Sequence, residues 1–147
     1  MSDIENEKHS LVIILGDLLT YGTEPNQTID LLLNFSKEHD CVFLKGNHDQ
    51  FYFDMDRGLN PFNYYIPDFI KESILWTKKK LKFKIENCFD WHEKYQIKEL
   101  FFSHANPYDF PNWTYLNNSD EVIKSSIHLN KMNAKVGVFG HTHRKKS

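Results

Sequence analysis

Apolar residues cluster into short runs separated by long, mostly polar stretches. Leu11 to Leu15 is an apolar run of strand length without alternation, which predicts a strand buried on both faces. Cys41 to Leu44 reads as the second strand. Between them, Thr23-Glu24-Pro25 is a helix-start signal with Pro in the first turn, and Ile29, Leu32, Leu33 and Ser36 follow at helical spacing. A crossover helix of that length predicts that the two strands are parallel neighbours. From Phe51 to Gln96 the pattern is aromatic and irregular. Pro67-Asp68 opens a helix carrying Phe69, Ile70, Ile74 and Thr77, and Lys78-Lys79-Lys80 forms its solvated end. Ile85, Cys88, Phe89 and His92 suggest a further short helix. The last third returns to a strand over Lys98 to Phe102, a loop over Ala105 to Asn118, and a helix starting at Ser119-Asp120-Glu121. Val122, Ile123, Ser126, Ile127 and Asn130 supply that helix's stripe, and Lys135 to Phe139 is the final strand.

The ends of the strands carry the chemistry. The first runs into Gly16-Asp17, the second into Gly46-Asn47-His48-Asp49, the third into Ser103-His104 and the last into Gly140-His141-Thr142-His143. Each alone has a structural explanation as a turn, a cap or a solvated segment. In α/β sheets, however, residues just beyond the carboxyl ends of strands converge on one crevice. Asp, Asn and several His form a mixed oxygen and nitrogen donor set, suited to manganese, iron, zinc or a similar divalent ion.

Composition narrows the picture without changing it. The 147 residues are 40% hydrophobic and 26% charged, with a formal net charge of -2. One domain over residues 1–147 is expected, with no basic field to signal nucleic acid. No apolar run approaches membrane-spanning length and the first ten residues are mostly polar, so cytoplasm is the default compartment. Cys41 and Cys88 read as buried free thiols. Neither a Gly-x-Ser-x-Gly elbow nor a P-loop is present.

The set Gly16-Asp17, Gly46-Asn47-His48-Asp49, Ser103-His104 and Gly140-His141-Thr142-His143, with Leu15-Gly16-Asp17-Leu18-Leu19-Thr20-Tyr21-Gly22, resembles the calcineurin-like metallophosphoesterase superfamily. The resemblance runs from about Leu11 to His143 and implies a four-layer α/β/β/α sandwich. It implies a hydrolase acting on phosphomonoesters or phosphodiesters through a metal-activated water. Asp17 would bridge two divalent metals, Asn47, His104 and His141 would complete the ligands of the second, and His143 would bind the first. His48 would donate to phosphoryl oxygens or protonate the leaving group, held by Asp49.

The pattern departs from the family at both ends. Ser2-Asp3-Ile4-Glu5-Asn6 looks like a remnant of the family's Asp-x-His motif, with Glu5 in place of His. Seven residues separate Asp3 from Leu11, too few for a parallel crossover of about a dozen. After His143 only Arg144-Lys145-Lys146-Ser147 follow. These features predict a sandwich truncated at both ends, with one tighter metal site and one weak or empty one. They also motivate a competing expectation of a non-catalytic binding or scaffold protein on the same fold, with Phe51-Tyr52-Phe53 and Tyr64-Tyr65 as a partner patch. The substrate, beyond being a phosphoester, is not specified.

Overall fold

A computed structural model describes residues 10–143. The strand β1 (Val12–Ile14) leads through the helix α1 (Pro25–Glu38) to β2 (Cys41–Leu44). β1 and β2 pair in parallel, with Val12 opposite Cys41 and Ile14 opposite Phe43, as the crossover length predicts. Pro occupies the first position of α1, where its missing N–H costs nothing. The sheet gains a third parallel strand, β3 (Trp91–His92), beside β2.

Two helices lie between β2 and β3. The first, α2 (Asn47–Asp56), begins directly on the Gly46-Asn47-His48-Asp49 segment. The second, α3 (Asp68–Lys80), is the helix predicted after Pro67, and its last turn carries Lys78, Lys79 and Lys80. Lys78 is paired with Asp56. The aromatic middle segment is therefore more regular than its sequence suggests. Phe51, Tyr52 and Phe53 are buried in a core with Leu19, Ile29, Ile74 and Ile85, so they form no partner patch, whereas Tyr64 and Tyr65 are exposed. The helix expected around Ile85 to His92 is a single 3₁₀ turn, Ile85–Asn87, followed by β3. Burial of Phe43 against Phe89 and Trp91 draws that segment into the sheet.

A second sheet has the order β4 (Lys94–Ile97), β5 (Leu100–Ser103) and β6 (Val136–Phe139). β4 and β5 form an antiparallel hairpin and β5 and β6 are parallel. The predicted strand from Lys98 begins two residues later, because Lys98 turns the hairpin with φ of 52°. The helix α4 (Ser119–Lys131) joins β5 to β6 and is capped by Asn118, whose side chain accepts from the Glu121 N–H. Its expected stripe faces outward: Val122, Ile123 and Ile127 are exposed, and Ser125 is buried. The architecture is a mixed α/β fold of parallel and mixed sheets with helices. Contacts between β2 and β4 bring the two sheets together. Both thiols are free and half-buried. Among the described residues, no helix is long and apolar enough to cross a membrane. The segments holding Asp3 and Glu5, and Arg144 to Ser147, lie outside the described residues.

Candidate metal centre

The loop after β1 carries Asp17 in an unusual conformation. Gly16 has φ of 90° and Asp17 φ of 56°, a left-handed pair that turns the chain sharply beyond the strand. The loop is held by Asp49. Its carboxylate accepts from the Asp17 N–H (2.8 Å), the Leu18 N–H (3.1 Å) and the Gly46 N–H (2.9 Å). Asp49 is fully buried, and burial, with the nearby Asp17 charge, pushes its pKa up to about 7 against those three donors. It therefore fastens the β1 loop to the first turn of α2 and accepts no hydrogen bond from the His48 ring.

That ring is held by a different residue. His48 Nδ1 lies 3.1 Å from Thr20 Oγ1, and Thr20 Oγ1 lies 2.9 Å from the Tyr52 hydroxyl. Where Tyr52 donates to Thr20 and Thr20 to Nδ1, the N–H of His48 is on Nε2; the reverse direction of the chain puts it on Nδ1. The backbone N–H of His48 donates to Asp17 Oδ1 at 2.9 Å. Burial, reinforced by His104 and His143, lowers the His48 pKa, although Asp17 opposes the shift. Thr20 went unrecognised because a hydroxyl within an apolar loop gives no sequence signal of its role.

With Oδ1 engaged by His48, Asp17 Oδ2 faces His104 Nε2 at 3.2 Å. His104 Nε2 is also 3.1 Å from Asn47 Oδ1 and 3.2 Å from His141 Nδ1. The other nitrogen, Nδ1, lies 2.6 Å from the Leu15 carbonyl. A carbonyl only accepts, so Nδ1 carries the proton, and neutral His104 presents a lone pair at Nε2. Asp17 and Asn47 add carboxylate and amide oxygens at that point. One ligand atom from each of Asp17, His104 and His141 lies within 4.8 Å of the others. Without a cation, a second proton on His104 relieves this crowding of acceptors. Burial lowers the His104 pKa, but bonding to Asp17, its charge and the Leu15 carbonyl outweigh burial and raise it. Burial would raise the Asp17 pKa, but the hydrogen bond to His104, its charge, and the charge and backbone N–H of His48 outweigh burial and lower it.

His141 turns Nδ1 towards this cluster. Its Nε2 is buried and meets no hydrogen-bonding group. Burial and the neighbouring His104 press its pKa down to about 4, so it is a neutral imidazole, the form that binds metals. Tyr115 stacks on it with ring centroids 3.9 Å apart, a contact absent from the sequence reading. The donor chemistry thus fits a divalent cation at Asp17, Asn47, His104 and His141. His143 is exposed and outside this tight group, but lines the same 520 Å³ cavity as Asp17, His48 and His141.

Residues 1–145 match the family model described as calcineurin-like phosphoesterase. An uncharacterised protein of Methanocaldococcus jannaschii is 32% identical over 121 residues, covering 79% of this chain and 46% of that protein. A crystal structure of a metallophosphoesterase from Sphaerobacter thermophilus superposes with a TM-score of 0.63 at 17% identity, covering 95% of this chain and 52% of that one. The chain therefore spans about half the length of the relatives it matches.

Proposed function

The chain belongs to the calcineurin-like phosphoesterase family, and from that premise we propose that it is a divalent-metal-dependent hydrolase of phosphoesters, with Asp17, Asn47, His104 and His141 as the principal metal ligands. The observation that carries this reading is the convergence of Asp17 Oδ2, Asn47 Oδ1 and His141 Nδ1 on Nε2 of His104, within 3.1 to 3.2 Å. His143, in the same cavity, contributes with Asp17 to a second, weaker position. A cation bound here supplies Lewis acidity to phosphoryl oxygens and lowers the pKa of a water molecule.

The chain's own groups account for the remaining chemistry. In the tautomer with its proton on Nε2, His48 donates to a phosphoryl oxygen or to the departing oxygen, and Thr20 fixes the ring for that task. Asp49 is a positioning residue that holds Asp17 and the α2 N-terminus in register. Tyr115 and Trp113 pack on His141 and His104 and limit water around them. Manganese-stimulated hydrolysis of an aryl phosphate ester is expected to fall about 100-fold or more in Asp17→Asn and in His48→Ala. Unchanged rates in both variants would place the chemistry elsewhere.

A further inference from the structure

A second cavity, of 620 Å³, opens beside the metal cluster, and Asn47 and His141 form part of its wall. Its size falls within the range of about 300–1,000 Å³ typical of small-molecule sites. The other walls are aromatic: Tyr64, Phe110, Trp113 and Tyr115. The three rings of the loop after β5, Phe110, Trp113 and Tyr115, are held in place, while Tyr64 stands exposed on the opposite wall. Phe110 meets Trp113 edge-on at 4.9 Å, and Tyr115 is stacked on His141. Their loop is pinned by buried Asn106, which accepts from the Tyr108 and Asp109 N–H groups and donates to the Thr114 carbonyl. A prearranged aromatic surface spends little ordering entropy on a ligand.

Polar groups refine the specificity. Among the described residues, no Lys or Arg lines the cleft. Asp54, which accepts from Gln50 Nε2 at 2.7 Å, places a carboxylate in the wall beside the amides of Gln50 and Asn112. Away from the metal ligands, the Asp54 carboxylate disfavours a second phosphate in the cleft. The cleft rewards a flat ring, because stacking needs only a π face, and it rewards N–H donors on the ring edge.

We propose that this cleft takes the organic part of the phosphoester as a flat, uncharged aromatic system with N–H donors on its edge, the chemical class of the nucleobases. The inference rests on the phosphoesterase reading and narrows its substrate. Adenosine 5′-monophosphate and ribose 5-phosphate carry phosphate on the same primary oxygen and differ in the base. With saturating manganese, kcat/KM is expected to be at least about tenfold higher for the nucleotide, mainly through KM. Tyr64→Ala is expected to bring that ratio towards one, and Tyr64→Phe to retain it. Equal kcat/KM for the two substrates, or a ratio indifferent to Tyr64→Ala, overturns the assignment. A separate arm measures quenching of Trp113 fluorescence by adenosine without phosphate, taken as the difference from Trp113→Phe. Quenching without turnover of either phosphate keeps the aromatic cleft and overturns the phosphoesterase reading instead. Neither quenching nor turnover overturns both.

Discussion

A Cβ placed on Gly46 would lie 2.6 Å from the Asp17 backbone nitrogen and closer still to its carboxylate. The glycine is not required for its own conformation, since its φ of -96° and ψ of 173° are open to any residue. It is required because two loops pass through the same space. Gly16 faces Gly46 from the other side: its own Cβ would come within 2.5 Å of the Gly46 nitrogen, and its φ of 90° adds backbone strain. The two glycines let the β1 and β2 loops approach until Asp49 can reach both. Gly46→Ala is therefore expected to displace Asp17, the residue on which the metal site is proposed to turn. Overpacking of this kind costs about 1–3 kcal/mol, a Tm drop of roughly 3–10 °C for a chain of this size. Thermal denaturation with and without manganese checks it: both the Tm and the metal-induced shift should fall, and wild-type values for both would refute the close-approach argument.

At the scale of elements, α2 and α3 together hold one strained residue. Thr20, a β-branched residue, has φ of 103°, a conformation costing about 1–3 kcal/mol. Its carbonyl accepts from Ser73 and Thr77 of α3, and its hydroxyl meets Tyr52 and His48 of α2. That network assigns Thr20 the role of positioning the His48 ring. Thr20→Val keeps the branched shape and removes the hydroxyl, so kcat is expected to fall about tenfold or more while KM and metal binding stay near wild type. A lowered Tm with unchanged kcat would reduce Thr20 to a structural residue. None of this was visible in sequence, whereas β1, α1, β2 and the start of α3 were, because their signals are local: apolar runs, a Pro at the first turn, helical spacing. The converging ligands were legible for the same reason, each standing at the end of its run. α2 was missed because its opening residues, Gly46 to Asp49, also read as a turn, and the cap comes from Asp49 reaching back to Gly46. β4 alternates weakly and is largely exposed, so only pairing with β5 defines it. The stripe assigned to α4 was misplaced because close packing there is achieved by small residues: Ser125 is buried, and a Cβ on Gly137 would sit 2.9 Å from Leu129 Cδ1.

For the whole molecule, the proposed cation is a cross-link between sheets. Asp17 and Asn47 follow β1 and β2 of the first sheet, and His104 and His141 follow β5 and β6 of the second. In the structure the sheets are already joined at this point by His104 Nδ1 and the Leu15 carbonyl at 2.6 Å, 89 residues apart in sequence. Because the ligands come from four separated segments, an unfolded chain does not hold them together, and binding free energy becomes folding free energy. At a free metal concentration about a hundredfold above Kd, the gain is about 2.7 kcal/mol, or a Tm rise of roughly 5–10 °C. Chelation should reverse it. His104→Ala, which removes the nitrogen on which the other three donors converge, should abolish the metal-dependent rise. Metal analysis after desalting should return about one tightly held ion per chain, since the second position has only Asp17 and exposed His143 among the described residues. Two tightly held ions would show that further ligands complete that position. A Tm indifferent to manganese in the wild-type chain would instead show that the converging donors are satisfied by a proton on His104.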